Sequence, residues 1–255
     1  MSPRIALYLL HVLLPVAGIA SLLVVAQLTW QALLFGPGVV CLLAGATAVY
    51  SADRLFERHA ELGRLLVRWL LTISCVATLI AMVQILRYPS QLLSVALPLA
   101  AMAAAYPVLS RIPAIKEITV ALCWTLGIVG MGFVDEQVRW GLLLEPLSWA
   151  ILALVLAGTL LCDCKDIEVD RERGVASAPV LIGNPWTRLI AAAAALDAIW
   201  LAWWGQGFTL LLASFLLVVL ATRKDLLERP LWGPICVDAA LCIPGPVAWA
   251  GHLLG

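Results

Sequence analysis

The sequence predicts an all-α, polytopic membrane bundle of about nine transmembrane helices around a central cavity. Three observations predict it. Of 255 residues, 63% are hydrophobic and only 13% charged, with a mean hydropathy of +1.01; soluble domains run to about 45–50% apolar and about 25% charged. The apolar residues fall into runs near the roughly 20 needed to cross a hydrocarbon core. The basic residues gather on alternate connections between those runs. A water-soluble domain and a disordered chain are excluded. So is a nucleic-acid binder, because 16 basic and 16 acidic residues cancel and leave no field to draw a polyanion.

In chain order, segment 5–28 follows one arginine, Arg4, and is long enough to span, so it reads as a first membrane helix rather than a cleaved leader. Segments 33–52, 65–86, 91–109, 116–134 and 146–162 follow, with Pro107, Pro113 and Pro146 near their ends. Segment 188–204 begins behind Pro185 and ends on Trp200, Trp203 and Trp204, an interfacial aromatic belt. Segments 207–222 and 232–254 complete the set. Pro244 and Pro246 lie inside the last and should kink or break it. Residues 1–255 read as a single domain. The seven cysteines mostly sit in apolar runs, as small buried hydrophobes do. Cys162 and Cys164 form a CxC, whereas zinc sites usually use wider spacings.

With the N-terminus inside, all basic residues except Arg87 and Arg139 fall on the inner face, as the positive-inside rule requires. Most acids fall there too, which that rule does not demand, so a polar site is expected on that face. The reading is a multi-pass protein of a bacterial cytoplasmic membrane with its site on the cytoplasmic side.

Two inner loops carry the acids. In VYSADRLFERHAELGR, Asp53, Glu57 and Glu61 are spaced i, i+4, i+8, one face of a helix. In LLCDCKDIEVDRERG, Asp163, Asp166 and Asp170 are spaced i, i+3, i+7, again one face, and Gly174 should stop that helix. Asp53-x-x-x-Glu57-Arg58 matches Asp166-x-x-x-Asp170-Arg171, four spans apart, as a duplicated four-helix unit would give. Stacked like charges repel, and a bound cation relieves them. Hard carboxylate oxygens suit Mg²⁺, which prefers a few carboxylates plus substrate phosphates. The Arg and Lys residues interleaved with these acids suit a pyrophosphate. A substrate with a pyrophosphate head and a long apolar tail, a polyprenyl diphosphate, meets both requirements. The plainer alternative is a pair of charged loops that hold topology through surface ion pairs. His59, between the acids of the first loop, is a candidate base. Asp197 and Asp238, within spans, either face the cavity or bond a neighbouring helix.

The segment DCKDIEVDRERGVASAPVLIG closely resembles the second aspartate-rich motif of the UbiA superfamily of intramembrane prenyltransferases. Asp163, Asp166, Glu168, Asp170, Arg171, Gly174, Pro179 and Gly183 match it, and Val169 stands where a glycine is usual. YPVLSRIPAIKEITVALCW resembles the junction between the family's fourth and fifth helices, with Tyr106, Lys116 and Trp124 matching. In the first motif Asp53 takes the place of an asparagine, Arg54 of the aspartate after it, and Glu57 and Glu61 of the two later aspartates.

The resemblance implies a Mg²⁺-dependent prenyltransferase. Asp163, Asp166 and Asp170 would serve one Mg²⁺, and Asp53, Glu57 and Glu61 a second. Arg54, Lys116, Lys165 and Arg171 would meet phosphate oxygens. Tyr50, Phe56, Tyr106 and Trp124 are candidates to face an allylic cation in a dry cavity. A hydrophobic acceptor, an aromatic quinone precursor or a lipid, would then take the prenyl group. Two other classes stay open: a terpene cyclase of the same fold, whose cation attacks its own chain, and a cation- or lipid-binding membrane protein. The oligomeric state is not readable.

Overall fold

The computed structural model describes residues 3–31, 36–58, 64–132, 140–229 and 232–254; for 3–9, 53–54, 56–58, 64–65 and 91 it describes the backbone alone. Among the described residues every regular element is helical. They are α1 (Pro3–Thr29), α2 (Pro37–Arg58), α3 (Arg64–Arg87), α4 (Pro89–Leu109), α5 (Ile115–Leu126), α6 (Pro146–Asp163), α7 (Ile167–Arg173), α8 (Ala178–Trp204), α9 (Leu210–Thr222), the single turn α10 (Lys224–Leu227), α11 (Trp232–Leu241) and α12 (Pro244–Leu254). A wide π turn, Gly127–Met131, extends α5.

Each predicted segment overlaps a helix or a helix pair, but the described residues do not give nine spans. Six stretches have the length and hydropathy to cross a membrane: Leu10–Thr29, Leu66–Arg87, Leu92–Leu109, Pro146–Asp163, Ala178–Trp204 and Trp232–Leu254. Pro37–Ala52 and Leu210–Thr222 are apolar but shorter. The last span is divided as its prolines dictate. Pro cannot donate to the preceding turn, so α11 ends at Leu241 and Pro244 opens α12.

Successive helices pack side by side from α1 to α6; α6 meets α8, α8 meets α9, and α11 and α12 return to α1. The ring is therefore closed. α6 also meets α5, α9 and α11, and buries Leu147, Ile151, Leu154, Val155 and Leu161 almost completely. Small residues admit this closeness: Ala191, Ala195, Ala198 and Ala202 form a fully buried stripe on α8, so the α6 and α8 backbones approach and gain dispersion contacts, the main attraction between helices in lipid. The opposite face of α8 presents Trp200, Trp203 and Trp204, all more than 60% exposed, as an interfacial belt requires.

Candidate active site

The polar residues converge at one end of the bundle, where α4, α6 and α9 end and α5 and α8 begin. Hydrogen bonds sew these ends together. Ala176 N–H donates to the Ser110 carbonyl at 3.0 Å, tying the loop after α7 to the turn after α4. Ala178 N–H donates to Glu117 Oε1 at 2.6 Å. A helix leaves its first N–H groups without internal partners, and Ser177, the N-cap of α8, makes no capping bond. The α5 carboxylate supplies the missing acceptor from another helix.

The second acidic motif is not one continuous helical face. α6 ends at Asp163, a turn closed by Asp166 N–H to the Asp163 carbonyl at 3.0 Å follows, and α7 starts at Ile167. The turn divides the three aspartates. Asp163 Oδ1 and Asp170 Oδ2 each lie 3.0 Å from Lys116 Nζ, whereas Asp166 pairs with its neighbour Lys165. An i, i+3, i+7 spacing is equally compatible with a helix and with this break, which is why sequence spacing did not reveal it. Gly174 ends α7 as expected, in the left-handed conformation at φ 69°.

Lys116 and Asp170 are about nine-tenths buried. Two carboxylates facing one ammonium leave an excess of negative charge out of water, and the buried Glu117 carboxyl, with Oε2 lacking a hydrogen-bond partner, adds to it. Such charge is costly unless a cation shares it. Tyr106 contributes to the field at Lys116. Behind this cluster Trp124 Nε1 donates to the Tyr50 hydroxyl at 2.8 Å, the two rings edge-to-face at 6.4 Å; this joins α5 to α2 just before the first acidic motif. Arg171 is exposed on α7.

The side chains of Asp53, Arg54, Phe56 and Glu57, and the whole of His59 and Glu61, lie outside the described residues. Among the described residues no group of three or more His, Cys, Asp or Glu converges as a metal site. The donor chemistry nevertheless fits Mg²⁺. Asp163 and Asp170 already converge on one cationic atom, and Mg²⁺ asks for one or two carboxylates beside substrate phosphates.

The intramembrane acids part company. Asp197 is exposed in a groove of about 320 Å³ between α6 and α8, flanked by Trp149 and Trp200, away from the site. Asp238 on α11 and Asp163 both contribute to the field at Cys162, which places Asp238 on the site's side of the bundle. Sequence spacing singled out neither Glu117 nor Asn184. Asn184 Nδ2 donates to the Cys164 carbonyl at 3.0 Å and to Glu228 Oε1 at 3.1 Å. The adjacency of Glu117 to Lys116 at the start of α5 was the only available signal for Glu117.

Residues 52–230 match the model of the UbiA prenyltransferase family. The fold is similar to that of a UbiA homologue from Aeropyrum pernix K1, solved in its apo form: 16% identity, 94% of this chain and 98% of that one, TM-score 0.69. No curated protein matches the chain.

Proposed function

Because the chain belongs to the UbiA prenyltransferase family, we propose that it is a membrane-embedded prenyltransferase that moves a prenyl group from a polyprenyl diphosphate to an aromatic or lipid acceptor. The observation that carries this reading is the convergence of Asp163 and Asp170 on the single cationic point at Lys116 Nζ. A site of surplus buried carboxylate with a lysine at its focus is suited to a metal-bound diphosphate, and the apolar bundle beside it to the prenyl tail.

Asp163, Asp166 and Asp170, together with Asp53, Glu57 and Glu61, would hold Mg²⁺. When bound, Mg²⁺ supplies charge neutralisation of the leaving diphosphate. Lys116 and Lys165, paired with carboxylates in the free protein, would exchange those partners for phosphate oxygens, and Arg54 and Arg171 would supply further cationic contacts to them. Tyr50 and Trp124 hold one another in fixed orientation, and their ring faces suit a developing allylic cation. The buried apolar residues of α6 and α11 keep water from that cation. The site would face the cytoplasm, the side rich in Lys and Arg.

The test is Mg²⁺-dependent diphosphate release from C10, C15 and C20 prenyl diphosphates, with and without a lipid and quinone-precursor extract. Release that needs the extract, and disappears in Asp166→Ala and Asp170→Ala, is the expected result. Release without any acceptor would replace transfer by cyclisation. No release under any condition, with both variants binding diphosphate as well as wild type, would overturn the reading.

A further inference from the structure

We propose that Asn184, braced by Glu228, is a positioning residue for the second acidic motif: it fixes the turn that sets Asp163 and Asp166 relative to one another. The assignment rests on the diphosphate reading above and deepens it.

The last carbonyls of a helix have no internal partners. At the end of α6 the carbonyl of Cys164, the residue between Asp163 and Lys165, is taken by Asn184 Nδ2 at 3.0 Å. The other Nδ2 hydrogen is directed to Glu228 Oε1 at 3.1 Å. A carboxylate acceptor on one side of the amide orients it and strengthens its donation on the other. Glu228 lies 3.9 Å from Lys224 one turn earlier, an exposed ion pair. The chain is therefore α10 to α8 to the motif turn, with each link a hydrogen bond or an ion pair.

A local break in α8 brings Asn184 to this place. The helix is kinked at Gly183, which sits at φ 79° and ψ 158°, a region open essentially to glycine alone. Thr187 Oγ1 donates to the Gly183 carbonyl at 3.0 Å, the i−4 back-bond that often accompanies a bend in a helix. Arg188, one turn beyond Asn184, donates from Nη1 to the Ala221 carbonyl at 3.5 Å, and it contributes with Glu228 to the field at Cys164. Among the described residues Asn184 makes no hydrogen bond to the motif aspartates; its bonds go to the Cys164 carbonyl and to Glu228. It acts through one peptide unit: rotation of the Cys164 carbonyl turns Asp163 on one side and the Lys165–Asp166 pair on the other.

The experiment is a Mg²⁺ titration of the thermal stabilisation given by a C15 diphosphate in detergent-solubilised protein. Outer partners that orient metal ligands typically change affinity by about 10–100-fold. Asn184→Ala should raise the Mg²⁺ midpoint on the order of 10-fold, and Glu228→Ala by less, while melting without ligand changes little. Asn184→Gln, which keeps the amide donor, should recover part of the loss; Asn184→Leu, of similar volume without a donor, should not. An unchanged midpoint in Asn184→Ala beside a responsive wild type would overturn this assignment alone. Should Asn184→Ala fail to fold, the midpoint of Glu228→Ala, a change at an exposed residue, decides in its place: a raised midpoint supports the assignment and an unchanged one overturns it. A wild type that shows no Mg²⁺-dependent stabilisation would overturn the diphosphate reading and this assignment with it.

Discussion

Glu117 on α5 accepts the backbone N–H of Ala178, the first residue of α8, at 2.6 Å in a fully buried contact. A helix start is thus capped by a carboxylate from a helix remote in sequence, beside the lysine at the focus of the site. Removing one partner of a buried charged hydrogen bond costs the desolvation of the other, about 1–3 kcal/mol. Glu117→Ala should therefore lower the melting temperature clearly, whereas Glu117→Gln, which keeps an acceptor oxygen, should lower it much less. Thermal unfolding of the two purified variants decides; equal losses would reassign Glu117 to a role carried by its charge.

Lys116 makes the opposite kind of contribution. Asp163 and Asp170 depend on it for neutralisation, and leaving buried charge unpaired costs about 3–5 kcal/mol. Lys116→Met should be strongly destabilised without ligand. Added Mg²⁺ should restore more stability to this variant than it gives wild type, because the ion supplies the missing cation. A thermal shift against Mg²⁺ concentration measures the difference, and a variant indifferent to Mg²⁺ would refute it.

The Tyr50–Trp124 bond offers a finer cut. Tyr50→Phe keeps the ring and its edge-to-face contact but leaves Trp124 Nε1, buried in the bundle, without its acceptor. The expected loss is about 1–2 kcal/mol, with diphosphate binding retained and turnover reduced because the ring orientation is no longer held. Turnover lost in proportion to binding would instead place Tyr50 on the diphosphate.

Cys164 tests the burial of the motif turn. It is 2% exposed, and burial pushes its thiol up to about 12. The thiolate is the reactive form, and a raised pKa means that it is populated only as pH climbs toward that value. At neutral pH, in a variant retaining only Cys164, maleimide labelling should be slow until the protein is denatured. Rapid labelling of the native protein would show that the turn opens readily.

The sequence made the architecture legible because hydropathy and helix punctuation are local. The apolar runs, the stop at Gly174 and the break before Pro244 all depend on residues within a turn or two of the event. The site was legible only as residue types. The spacing of Asp163, Asp166 and Asp170 allowed a helix, but the competing turn won because Lys116, 47 residues earlier, draws Asp163 and Asp170 together while Lys165 keeps Asp166. Glu117 and Asn184 act across 61 and 20 residues, distances over which no periodicity carries information. The predicted start of the seventh span at 188 fell late for a related reason: Pro185 reads as a helix boundary, yet α8 runs from Ala178 and absorbs the discontinuity at Gly183.

Two glycines separate conformational cost from steric cost. A Cβ at Gly174 would meet nothing within 4 Å, and one at Gly183 only Pro185 Cδ at 3.8 Å, so substitution at either is opposed by backbone conformation alone. Gly174 is left-handed at φ 69° and ψ 26°, where alanine costs about 1–2 kcal/mol and asparagine is tolerated. Gly183, at φ 79° and ψ 158°, lies where no side chain is accommodated, at about 1–3 kcal/mol. Gly174→Asn should therefore be close to wild type in stability and Gly174→Ala mildly impaired. Gly183→Asn and Gly183→Ala should be impaired alike, and both should weaken Mg²⁺-dependent diphosphate binding, because straightening α8 withdraws Asn184 from the Cys164 carbonyl. Melting temperatures of the four variants, with Mg²⁺ titrations of the two at Gly183, measure this. A tolerated Gly183→Asn would show that the kink is not imposed by glycine, and that Asn184 is held in place by Glu228 alone.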